Sequence, residues 1–177
     1  MKSSSRLLAG VLIASAVTAP VADAVAATAP DTPAAARFYA FVGHWKGLGQ
    51  ISEPGHAPTA LTLAFSCSKA SAGWAVRCEM MARNDKLMIT ESDLMGVDPA
   101  TGTGHWYAVT NQGETHDHVA EWSGAKAMKA RHTWTQDGKN MEEDIAFAFT
   151  GNKAMDFRSV VREDGKEVAA FSGRLLR

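Results

Sequence analysis

From residue 59 onward, apolar and polar positions alternate with a period of two. Leu61, Leu63, Phe65 and Cys67 interleave with Thr62, Ala64 and Ser66, and Ile145, Phe147 and Phe149 interleave with Asp144, Ala146 and Ala148. Successive side chains of a strand leave opposite faces of the pleat, so this alternation predicts half-buried strands. Trp74, Val76, Cys78 and Met80 repeat the pattern against Arg77 and Glu79. Ten segments read this way: 44–51, 59–68, 74–82, 87–97, 103–110, 115–122, 127–136, 141–150, 153–162 and 167–176. The breaks between them carry turn residues, among them Pro54-Gly55, Asn84-Asp85-Lys86, Asp98-Pro99-Ala100-Thr101-Gly102, Asn111-Gln112-Gly113, Asp137-Gly138 and Asp164-Gly165. Strands at near-even spacing joined by such turns predict an antiparallel meander.

Ten twisted strands with one apolar face each leave two open edges unless the sheet closes on itself. The expected fold is therefore all-β, a closed ten-stranded antiparallel up-and-down β-barrel with a short N-terminal helix. A two-sheet sandwich is the alternative. A ten-stranded barrel has an interior wider than side chains alone readily fill. The chain enters this region through Gly43-His44-Trp45-Lys46-Gly47-Leu48-Gly49. Trp45 is expected to plug one end, and the glycines to let the first strand bend where the sheet closes. Ahead of it, 33–42 holds one or two helical turns with Phe38, Phe41 and Val42 on one side.

The N-terminal segment changes the picture of compartment. Lys2 and Arg6 precede an apolar run from Leu7 to Val17, and Ala24-Val25-Ala26 offers the small-x-small pattern of signal peptidase. Residues 1–26 thus read as a secretory leader, 27–36 as an Ala/Pro/Thr linker, and 37–177 as a single domain. The apolar run is shorter than the ~20 residues that span a bilayer, although a retained anchor is the competing reading. The mature protein is expected to be periplasmic or secreted, with no stable membrane anchor after leader cleavage. Formal charge is near balance at −1, with no basic run, which argues against nucleic acid as a partner.

Cys67 and Cys78 flank Ser71-Ala72-Gly73-Trp74. A two-residue Ala72-Gly73 turn sets them opposite on paired strands, and an oxidising compartment then favours a disulfide over two buried thiols. In that register they fall at a hydrogen-bonded pair, with Cα atoms ~5.5 Å apart.

Candidate chemistry concentrates in the fifth to seventh strands. A loop at Asn111–Gly113 puts His116 opposite Ala108 and His118 opposite Trp106 on one face, continued by Ala120 and Trp122. Met128, Ala130, His132 and Trp134 form the matching face of the next strand. Burying three tryptophans favours this face as the interior; the opposite parity puts Tyr107, Val109 and Val119 inside. The candidate ligand-facing residues are Trp45, Trp106, His116, His118, Trp122, His132 and Trp134. His116 and His118 share a face and suggest a metal pair, but zinc wants three or four ligands, and His132 supplies a third only if register allows. No metal and no cofactor are expected. Glu142-Glu143-Asp144 reads as a solvated edge, and Glu91 and Asp93 as exposed. There is no Gly-x-Ser-x-Gly elbow and no phosphate-cradling loop, and no catalytic residue is assigned. The many methionines read chiefly as core filling.

The opening Phe41-Val42-Gly43-x-Trp45-x-Gly47-x-Gly49, the Gly96-Val97-Asp98-Pro99-Ala100-Thr101-Gly102 turn and the ten-strand count resemble an uncharacterised bacterial lipocalin-like barrel family, related in architecture to nitrobindin and the calycins. The resemblance implies a closed barrel with an internal cavity and no established activity. Nitrobindin binds haem through a His near its C-terminal end; no His follows His132 here, so that ligation does not carry over. The expected function is a binding protein holding a small, mainly apolar or aromatic molecule inside the barrel. The alternatives are a His-based metal or haem protein or enzyme using the same cavity, and a structural barrel with a filled core.

Overall fold

The computed structural model describes residues 33–177. The expected leader and most of the expected linker lie outside the described residues. The described residues begin with α1 (Pro33–Arg37), which overlaps the end of the segment read as linker, and a 3-10 turn at Phe38–Phe41, in the stretch where helical turns are expected. Ten strands follow: β1 (Gly43–Ser52), β2 (Thr59–Ala70), β3 (Ala75–Arg83), β4 (Met88–Val97), β5 (Gly104–Thr110), β6 (Thr115–Ser123), β7 (Ala127–Gln136), β8 (Lys139–Thr150), β9 (Ala154–Glu163) and β10 (Lys166–Leu176). Each pairs antiparallel with its neighbours in sequence, and β10 returns to pair with β1. The sheet is a closed up-and-down barrel, not a sandwich.

Closure depends on a glycine pair at the seam. Gly49 stands opposite Gly173 where β1 meets β10. A Cβ on Gly49 would lie 2.7 Å from Leu63 Cδ1, and one on Gly173 would lie 2.8 Å from Phe157 Cε1. The missing side chains let Leu63 and Phe157 pack over the seam from inside. The glycines act here through close approach rather than through unusual dihedrals.

The N-terminal segment seals one end. Phe38 and Phe41 are buried, and the Phe41 ring meets Phe147 and Phe149 edge-on at 5.0 Å each. Full burial of each Phe contributes about 1.5–3 kcal/mol. Trp45 is wholly buried there, its Nε1 donating to the Phe41 carbonyl at 2.7 Å while the Arg177 guanidinium lies 4.3 Å from its ring centroid.

Two local expectations are corrected. Trp74 does not open a strand: Ser71, Ala72 and Gly73 all take positive φ, a 3-10 turn forms, and β3 starts at Ala75. The connection is thus four residues closed by the Ala70–Ala75 pair, not two. Cys67 still faces Cys78 and the disulfide is present, but the longer turn moves the closing pair by one. The cysteines therefore occupy the closer, non-hydrogen-bonded kind of site, with Cα atoms 4.1 Å apart.

Candidate functional site

Pleat parity decides which side chains meet inside. On β5 and β6, Trp106, Ala108, His118 and Ala120 are buried, whereas Tyr107, Val109 and Val119 are exposed. Trp106 pairs with His118 and Ala108 with His116. On β7, Met128 and Ala130 are buried, and His132 and Trp134 continue the same face toward the rim. β5 runs from Gly104, beside Phe38 of the plug, to Thr110, so the plug and the rim lie at opposite ends of the barrel.

At the end away from the plug lies a cavity of about 490 Å³. Its lining mixes polar and aromatic groups, chiefly Glu91, His116, His118, His132, Trp134 and Glu143, with apolar ones, Met80, Ile89, Met141, Ile145, Val161 and Phe171. Met141 and Ile145 flank Glu143 on β8, and Ile89 neighbours Glu91 on β4. The rings of His116, His132 and Trp134 form a near-parallel panel, with centroids 5.0, 5.2 and 5.5 Å apart and interplanar angles of 15°, 16° and 26°.

Four of the seven candidate residues therefore line this cavity, and three do not. Trp45 belongs to the plug. Trp122 stacks on Phe149 and meets Phe38 edge-on, also at the sealed end. Trp106 lies beneath the cavity wall, its ring 5.1 Å from His118 and its Nε1 donating to Asp93 Oδ1 at 2.7 Å. The strand face is the interior one along its whole length, but the interior is divided into a packed half and an open half.

Glu143 is the residue at the centre of the polar cluster, and reading it as a solvated edge is wrong. Its Oε2 lies 3.1 Å from His116 Nδ1 and 3.0 Å from His118 Nε2, and its Oε1 accepts from Ser159 Oγ at 2.6 Å. Only Glu142 and Asp144 face outward, where they pair with Arg131 and Arg162. The signal was present in the alternation, since residue 143 shares parity with Ile145, Phe147 and Phe149. Glu91 and Asp93 are likewise inside, on the parity of buried Met95, and Asp93 is only 2% exposed.

These groups hold charge in distinct ways. Burial pushes the Glu143 carboxyl up, but hydrogen bonds from His116, His118 and Ser159 outweigh it and hold it well below the usual carboxylate range. The hydrogen bond to Glu143 raises His116, whereas burial lowers His132. Burial, then the Asp93 charge, lifts Glu91 to about 9, and burial lifts Asp93 to about 6. Near neutral pH Glu91 thus keeps its proton. Asp93 Oδ2 is buried without a hydrogen-bond partner among the described residues.

The ring tautomers follow from carbonyls that can only accept. His118 Nδ1 donates to the Trp106 carbonyl at 3.3 Å, and His132 Nδ1 donates to the Asp117 carbonyl at 2.9 Å. His116, His118 and Glu143 each offer one ligand atom, all within 4.8 Å of one another. The third member of this group is Glu143, not His132, because β7 pairs His132 with Glu143 and leaves the carboxylate reaching across to β6.

No protein-family model and no curated protein matches the sequence. Solved structures do match the barrel. Rv2717c from M. tuberculosis superposes with a TM-score of 0.61 at 13% identity, covering 82% of this chain and 98% of that one. The S-type phycobiliprotein lyase CPES from Guillardia theta gives 0.51 at 12% identity over 78% of this chain and 88% of its own. A protein of unknown function from the DUF3598 family of Nostoc punctiforme gives 0.51 at 11% identity, and the 78% of this chain that aligns spans only 48% of that protein. At these identities the likeness is one of architecture, and the shared feature is a closed lipocalin-like barrel.

Proposed function

We propose that this barrel binds a small, mainly apolar or aromatic molecule in the cavity at its rim end. The observation that carries the reading is the cavity itself, about 490 Å³ and lined by apolar side chains together with a panel of parallel rings. That size falls within the ~300–1,000 Å³ usual for ligand sites, which pair apolar linings with a few placed polar groups. A planar ligand would lie against His116, His132 and Trp134, its apolar body against Met80, Ile89 and Phe171, with any polar substituent reaching Glu91 or Glu143. Service of the same architecture in a phycobiliprotein lyase is in keeping with this reading.

The same reading has the mature chain in the periplasm or outside the cell. The Cys67–Cys78 bridge suits an oxidising compartment, and residues 1–26 have the make-up of an export signal. Cell fractionation with an antibody against the barrel tests the location; recovery with cytoplasmic markers would contradict it.

Native mass spectrometry tests the binding. Protein isolated without refolding from the cells that make it is expected to carry a stoichiometric organic mass that is released on unfolding. A bare polypeptide mass, combined with no quenching of Trp fluorescence by aromatic probes, would overturn the reading.

A further inference from the structure

We propose that His116 Nδ1, His118 Nε2 and Glu143 Oε2 form a binding site for a divalent transition-metal ion of the zinc class. The proposal goes beyond the ligand reading and does not rest on it.

The first support is the placing of three donor atoms around one point. His118 donates from Nδ1 to the Trp106 carbonyl at 3.3 Å, which turns its Nε2 toward Glu143 Oε2 at 3.0 Å. His116 Nδ1 approaches the same oxygen from 3.1 Å, and His118 is 2% exposed, so the cluster is shielded from solvent on that side. A metal ion held by the two imidazoles would take the place of the histidine protons in these contacts.

That geometry has the parts of a metal site. Ligands at ~2.1 Å from a zinc ion stand roughly 3–3.5 Å apart. The two nitrogen–oxygen separations, 3.0 and 3.1 Å, already match, and all three atoms lie within 4.8 Å. A ligating imidazole commonly donates its other nitrogen to a carbonyl, as His118 does, and a ligating carboxylate is commonly held by a further hydrogen bond, as Ser159 holds Glu143. Two imidazoles with one carboxylate suit zinc-class ions and not calcium or magnesium, which take all-oxygen sets. His116 and Glu143 both line the cavity, which leaves a coordination position facing it.

The test uses the tag-free mature chain, stripped with chelator and titrated calorimetrically with zinc alone. One ion per chain at micromolar affinity or tighter is expected. Glu143→Gln and His116→Ala should each weaken binding at least ~10-fold, whereas His56→Ala, at an exposed position between β1 and β2, should leave it unchanged. X-ray absorption on the zinc-loaded wild type should show two imidazoles in the coordination shell. Absence of saturable binding, binding indifferent to both substitutions, or a shell without imidazole would overturn the proposal, the last without needing any variant to fold. Zinc titration reads nothing of an organic ligand, so failure here leaves the ligand reading standing, and the reverse also holds.

Discussion

His118 Nε2 lies 3.0 Å from Glu143 Oε2, an imidazole of β6 facing a carboxylate of β8 across the interior face of β7. Around this contact the barrel changes character. Toward the plug the interior is filled by Phe38, Phe41, Trp45, Trp122 and Phe149; toward the rim it opens into the cavity. The polar cluster sits at the boundary.

Removing one partner of that contact leaves the other buried and uncompensated. His118→Ala is expected to lower stability by about 3 kcal/mol, since breaking a buried pair strands a carboxylate that the fold holds ionised. Urea denaturation of the variant beside the wild type measures it. A loss below about 1 kcal/mol would mean that His116 and Ser159 satisfy Glu143 unaided.

Glu91 makes stability depend on pH in the alkaline direction. In the unfolded chain its carboxyl titrates near its ordinary value of about 4.5, and in the fold at about 9. Below 4.5 both states hold the proton. As pH rises from there to about 9, the unfolded chain releases a proton that the fold retains, so stability falls through that window. Asp93, lifted to about 6, acts in the same direction only in the lower part of it. Glu91→Gln keeps the hydrogen-bonding shape without the titration. Its stability profile from urea melts should be flatter between pH 6 and 9 than that of the wild type. Parallel profiles would show that Glu91 ionises normally.

The Cys67–Cys78 bridge closes a short loop of sequence separation 11. Constraint of the unfolded chain by a loop of this size is worth about 3 kcal/mol. Cys67→Ser combined with Cys78→Ser should lower the denaturation midpoint accordingly, and added reductant should have no further effect on the double variant. An unchanged midpoint would contradict a structural bridge.

The seam tolerates no side chain at Gly173. A Cβ there would lie 2.5 Å from Leu63 Cδ1, 2.8 Å from Phe157 Cε1 and 3.0 Å from the Leu48 carbonyl oxygen, so two packed side chains would have to shift beside a strand backbone. Gly173→Ala is expected to cost about 1–3 kcal/mol through overpacking, readable as a fall in Tm. A neutral result would show that the barrel closes with slack.

Period-two alternation and turn composition made the barrel legible before any coordinates. The Asn111–Gly113 loop set the β5–β6 register, so the His116–Ala108 and His118–Trp106 pairings followed from counting. The polar site was only half legible. Glu143 reads as part of a solvated edge and Glu91 as exposed, since charged residues are seldom buried, although their parity with Ile145 and Met95 points inward. The partners of Glu143 come from β6 and β9, and no local pattern reports which carboxylate meets which imidazole. The division of the interior was hidden for a similar reason. It depends on how deeply α1 and the 3-10 turn insert, which is a matter of packing and not of periodicity.

Titration with a fluorescent anilinonaphthalene probe tests the cavity most directly, in wild type and in Val161→Trp, whose indole would occupy the chamber. Saturable one-to-one binding to the wild type is expected, with its loss in a variant that retains the circular dichroism of the barrel. Equal binding by both proteins, or none by the wild type, would contradict a small-molecule site beside the His116–His132–Trp134 panel.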